Sequence, residues 1–306
     1  MTRIFTLFLF LCAVTPALAT PKIVVSIPPI FSLVSSITHG ITRPELLLTQ
    51  GSPHNASLRP SQASALANAD LLIWVGPELE SFLAQPIKRL VKPGVELQLL
   101  TLEALKRLPQ REGGFWEEDE HETAHEAAHT DHRFNPHIWL APENAQQIAA
   151  AVSNRLCQID PAHQAGYQQN LIELTRRIQD FAKNLQQQLK PIQGKPYLVF
   201  HDAYPYFEDA FSLNALGSVR VSADRPPGAK RIQEIREKMV LTHAGCLFSE
   251  PQFSPTLAQR LAADGQLKLG VLDPLGSRSD NSEDDWFNLM QNLATSLKSC
   301  LEDSPL

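Results

Sequence analysis

Apolar and polar positions fall into two successive series along the chain. In the first half, apolar runs at 22–27 (KIVVSI), 45–49 (ELLLT), 71–75 (LLIWV) and 95–100 alternate with stretches of helical period at 30–38, 60–69 and 79–91. In the second half, strands predicted at 197–200, 217–221, 246–249 and 268–272 are separated or followed by helices near 206–211, 230–241, 255–263 and 283–301. Strands that are apolar throughout are covered on both faces, and alternation with helices builds parallel sheets. The pattern predicts an α/β protein of two lobes, each a parallel sheet flanked by helices.

The longest periodic segment lies between the two series. Leu171, Leu174, Ile178, Phe181, Leu185 and Leu189 recur at spacings of three and four, which gives one apolar stripe. Asp160 suits an N-cap and Pro161 the first helical position, while Pro191 and Gly194 end the run. About 30 residues at 1.5 Å each span roughly 45 Å. Fewer than five heptads and no e/g charge scheme argue against a coiled coil. The segment 159–190 is therefore predicted as one rigid helix linking an N-terminal lobe, 20–158, to a C-terminal lobe, 191–306. A single stiff connection, unlike paired flexible hinges, predicts modest lobe movement.

Arg3, the apolar stretch 4–14 and Ala17-Leu18-Ala19 read as a signal peptide over 1–19, and Leu11 before Cys12 argues against lipidation. An exported chain keeps Cys157, Cys246 and Cys300, an odd number that predicts one disulfide and one buried spare thiol. With 27 Lys and Arg against 33 Asp and Glu, the chain lacks the concentrated basic surface that nucleic acid requires. Its 306 residues hold enough apolar material for two sizeable cores, and no internal run is long enough to span a membrane.

Composition breaks at 111–133, REGGFWEEDEHETAHEAAHTDHR. This tract sets His121, His125, His129 and His132 among acidic residues and has almost no large side chains to bury. It reads as a solvated loop that holds a borderline metal such as zinc loosely.

Three other histidines occupy places where an α/β lobe binds ligands, outside the carboxyl ends of its strands. His54, in GSPHNASLRP, follows the second strand, and His201 ends the first strand of the second lobe. His137, in NPHIWL, lies in the connection before the helix near Pro142, and Asp273, in VLDPLG, ends the last strand. Three imidazoles and a carboxylate suit tetrahedral zinc. For Asp273 the competing reading is a turn cap before Pro274. His39, His163 and His243 read as surface or structural residues.

The segments SPHNASLRPSQ, NPHIWLAPENA, FHDAYPYF, SEPQFSP and VLDPLGS resemble the signature segments of the periplasmic zinc-binding proteins of ABC transporters, the ZnuA type, over essentially the whole mature chain. The resemblance implies a monomeric periplasmic protein that captures Zn2+ between its lobes and delivers it to an inner-membrane permease. It carries His54, His137 and His201 over as ligands, and it favours a Cys246–Cys300 disulfide with Cys157 as a buried thiol. Manganese and iron relatives place a carboxylate where this chain has His201, which favours zinc. Some zinc members carry Glu just before the first ligand; Pro53 stands there in this chain, leaving Asp273 or a water as fourth ligand. The alternatives are a manganese or iron transport protein of the same family and a zinc hydrolase. The chain is expected not to be an enzyme.

Overall fold

Each series of short strands closes into its own four-stranded parallel sheet. The structure, a computed structural model, describes residues 19–111, 116, 134–220, 227–242, 244–277 and 280–302. Residues 1–18 of the expected signal peptide and His121, His125, His129 and His132 of the acidic tract lie outside the described residues, as does His243.

In the N-terminal lobe the elements run β1 (Ile23–Val25), α1 (Pro28–Ile37), β2 (Glu45–Leu46), α2 (Pro60–Ala67), β3 (Leu71–Trp74), α3 (Ser81–Leu90) and β4 (Glu96–Gln98), with strand order β2-β1-β3-β4. Helices α4 (Pro142–Ile159) and α5 (Gln164–Leu189) follow. The C-terminal lobe comprises β5 (Pro196–His201), α6 (Pro205–Phe211), β6 (Asn214–Arg220), α7 (Ala229–Thr242), β7 (Cys246–Ser249), α8 (Thr256–Asp264), β8 (Lys268–Val271) and α9 (Asp285–Leu301), with order β6-β5-β7-β8. The two sheets share one topology. In each, the winding direction reverses between the first and third strands, which opens a crevice at their carboxyl ends.

Alternation along the strands decides what each face buries. Ile23, Val25, Leu71 and Ile73 face inward with Tyr197, Val199, Cys246 and Phe248 of the other sheet, in one continuous core. Val24, Leu72 and Trp74 point outward onto Leu66, Leu83 and Ile87 of α2 and α3. Leu198, Phe200 and Leu247 do the same against Ile235 and Met239 of α7 and Leu261 of α8. The apolar material is not divided into one core per lobe. Helices α1, α4, α5 and α9 pack on one another and on the inner faces of both sheets, so a single core runs through both lobes and two satellites lie outside.

The long helix is shorter than its sequence pattern. Pro161–His163 forms a 3-10 turn, and α5 proper begins at Gln164 and runs 26 residues, about 39 Å. Asp160 accepts from the Tyr167 hydroxyl at 2.7 Å and lies 2.8 Å from His163 Nδ1, which holds that turn tight.

Direct bonds also tie the lobes together. The Trp139 indole donates to Pro274 O at 2.8 Å, and the Trp286 indole donates to Trp139 O at 2.9 Å. Arg111 forms ion pairs with Asp202 and Glu208, both buried. A disulfide joins Cys246, the first residue of β7, to Cys300 in the last turn of α9, with Cα atoms 6.3 Å apart. Cys157 is free as expected, but it is half-buried where a buried thiol was expected, because it sits on the flank of α4 facing Gln164 O.

Candidate metal centre

The three strand-end histidines meet in the cleft. His201 is the last residue of β5, His137 precedes α4, and His54 lies in the loop between β2 and α2. That loop is braced by Gln62 in the first turn of α2, whose Oε1 accepts from Arg59 N at 2.7 Å while its amide donates to Leu47 O. Ser52 Oγ accepts from His54 N at 3.3 Å. Ring centroids lie 5.5 Å apart for His54–His137, 5.8 Å for His54–His201 and 5.1 Å for His137–His201. One ligand nitrogen from each lies within 4.8 Å of the other two.

Hydrogen bonds on the far side of two rings decide which nitrogen faces the centre. His137 Nδ1 lies 2.9 Å from Asn135 Oδ1, and His201 Nδ1 lies 2.6 Å from Glu250 Oε1. Both acceptors require a proton on Nδ1, which in a neutral ring leaves Nε2 as the nitrogen that can ligate. The two Nε2 atoms then face each other at 3.3 Å, and His54 Nε2 is buried with no partner. Two nitrogens this close are held together by a cation between them, either a shared proton or a metal ion. Two nitrogens bound to a tetrahedral zinc at about 2.0–2.1 Å are themselves about 3.3–3.4 Å apart. The observed spacing fits that ion.

Burial and proximity also keep His54 and His137 uncharged. Desolvation and the neighbouring His201 push His54 down to about 3. Desolvation, with His201 and His54 nearby, holds His137 well below the ordinary imidazole value. The cavity bounded by the three rings, Glu250 and Phe253 has a volume of about 10 Å3, room for one water-sized particle.

Asp273 stands outside this group. Its carboxylate accepts from Leu275 N and Gly276 N at 3.1 Å each, from Ser277 N at 2.7 Å and from the Gln252 amide at 2.7 Å. Among the described residues, the metal-ligating group the structure brings together is the three histidines. In this arrangement the Asp273 carboxylate caps a turn. His39 and His163 pair with Glu283 and Asp160, away from the centre.

Sequence reasoning did not find Asn135 or the role of Glu250. A signal was present for Glu250. It directly follows β7, the strand hydrogen-bonded beside β5 where the winding reverses, and so shares a crevice with His201. Asn135 carries no comparable signal beyond lying two residues before His137.

Fold and site together define a two-lobed α/β protein with a three-histidine centre in its cleft. The model of the family "Zinc-uptake complex component A periplasmic", ZnuA, matches residues 23–300, and the chain belongs to this family. The high-affinity zinc uptake system protein ZnuA of Brucella abortus (strain 2308) is 37% identical over 304 residues, covering 91% of each chain. Its counterpart in Yersinia pestis is 37% identical over 295 residues, covering 93% of this chain and 92% of that one. Among solved structures, a ZnuA deletion mutant with zinc bound superposes with a TM-score of 0.76 at 21% identity, covering 94% of this chain and all 100% of the other. The periplasmic zinc binding protein TroA from Treponema pallidum gives 0.74 at 17% identity, covering 91% and 99%. These two likenesses establish the fold.

Proposed function

We propose that this protein captures Zn2+ between its lobes in the periplasm, through His54, His137 and His201, and hands it to a membrane permease for uptake. The observation that carries the reading is the convergence of three imidazole nitrogens, two of them 3.3 Å apart with protons directed away from the centre. Family membership and the names of relatives, high-affinity zinc uptake proteins, support zinc as cargo. An all-imidazole set favours zinc over manganese, which prefers carboxylate and water. A centre with room for one small particle favours carriage of an ion over catalysis on an organic substrate.

Water fills the fourth position in this reading, since Asp273 would have to release its turn to reach the ion. The acidic tract is a second, weaker zinc store. Its roots are drawn together beside His137 by the Pro109–Phe134 bridge and by Asn135 N donating to Leu108 O at 2.9 Å. Titration of the metal-free protein with zinc against a chromophoric chelator tests the proposal. One tight equivalent is expected, surviving deletion of 117–131 and lost on replacement of the three histidines by alanine. A tight equivalent that disappears with the tract would overturn it.

A further inference from the structure

Glu250 has no part in the ligand set, yet it is the most deeply buried carboxylate at the centre, with a side chain 1% exposed. One oxygen, Oε1, lies 2.6 Å from His201 Nδ1; the other, Oε2, is buried with no partner. The two ring nitrogens point in opposite directions. Glu250 therefore cannot reach an ion held by His201 Nε2 and stands one imidazole width behind it. His137 has a neutral counterpart in Asn135, at 2.9 Å.

We infer that Glu250 is a positioning residue for metal capture: it fixes the Nδ1–H tautomer of His201 and supplies the buried negative charge that offsets the arriving dication. The inference rests on the proposed capture of zinc by the three histidines and deepens it. Three neutral imidazoles add no charge to balance a divalent ion, and an unbalanced buried charge is costly. A carboxylate behind a ligating imidazole raises its basicity and fixes its orientation, and losing such a partner typically lowers metal affinity 10–100-fold. The two acceptors thus divide the work. Asn135 orients without charge, whereas Glu250 orients and neutralises.

The test separates tautomer from charge. Nitrogen-15 spectra of the histidines are recorded on zinc-free wild type, Glu250→Gln and Glu250→Ala, and zinc affinity is measured for each by chelator competition. Glutamine still offers an oxygen to Nδ1–H, so Glu250→Gln should keep the His201 tautomer and lose about tenfold in affinity. Glu250→Ala should lose the fixed tautomer and about a hundredfold in affinity. Cobalt-loaded samples should show the wild-type d–d spectrum for Glu250→Gln and an altered one for Glu250→Ala. Wild-type protein with the His201 proton on Nε2, or a Glu250→Gln variant with unchanged affinity, would overturn the inference. If Glu250→Ala does not fold, those two results still decide it. Wild type that binds no zinc through its histidines would instead defeat the underlying reading while leaving the tautomer result standing.

Discussion

His201 carries two constraints at once, a proton held on Nδ1 by Glu250 and a lone pair on Nε2 3.3 Å from that of His137. His201→Ala should therefore lower zinc affinity by at least about tenfold while the circular dichroism spectrum stays that of the wild type. Asp273 makes the opposite case. Because its oxygens accept from three backbone amides of the 275–277 turn, Asp273→Ala should change zinc affinity less than about threefold and instead lower the unfolding free energy by roughly the 1 kcal/mol lost with a cap, read in a urea melt. The neutral histidines also give stability a pH dependence with a definite sign. Unfolded His54 takes up a proton as pH falls below its ordinary 6.5, whereas in the fold it stays neutral until about 3. The unfolded chain binds more protons across that window, so the contribution of His54 is present above 6.5 and is lost as pH falls. Buried Glu80, pushed up to about 7 mainly by desolvation, acts in the opposite sense, since its contribution is lost as pH rises through 7. Urea melts of zinc-free wild type and His54→Gln isolate the histidine. The variant should gain stability relative to wild type between pH 7 and pH 5; a difference that stays constant would refute the assignment.

At the scale of elements, most strands were legible because parallel strands buried on both faces are apolar runs, as at Leu71–Trp74 and Cys246–Ser249. The edges were harder to read. β2 pairs over only Glu45–Leu46, where a five-residue run was expected, because the chain turns away after Leu48 donates to Ser26 O. β6 begins at Asn214, three residues early, in a half-exposed stretch that the pairing with β5 orders and periodicity does not mark. The first turn of the long helix, expected from Pro161, takes 3-10 form, with Asp160 engaging the Tyr167 and His163 side chains. The three histidines could be located from strand ends alone, while their hydrogen-bond partners depend on which loops the sheet order brings together. Two elements of the C-terminal lobe are joined by the Cys246–Cys300 bridge, whose ends are 54 positions apart in sequence. In the chain-entropy model that loop contributes about 4 kcal/mol. Cys246→Ser should lower unfolding free energy by that order in denaturant titration; a change under about 1 kcal/mol would mean that the reduced chain stays restrained.

The whole molecule is held by more than one helix. A core shared by both sheets, the Trp139 and Trp286 bonds across the cleft, and the Arg111 ion pairs all connect the lobes. Separating the lobes would expose a continuous apolar layer and break buried ion pairs, which restricts any change on zinc binding to local adjustment around the centre. Arg111 is the most sensitive of these ties: its removal leaves Asp202 and Glu208 buried without their cation, and Arg111→Met should destabilise the protein by about 3–5 kcal/mol. The central claim is that one ion sits among His54, His137 and His201. The most direct test is a crystal structure of the protein loaded with one equivalent of zinc, with anomalous scattering recorded at the zinc edge. The expected result is a single dominant peak bonded to all three Nε2 atoms at about 2.0–2.1 Å. A dominant peak elsewhere, or one bonded to fewer than three of these histidines, would contradict it.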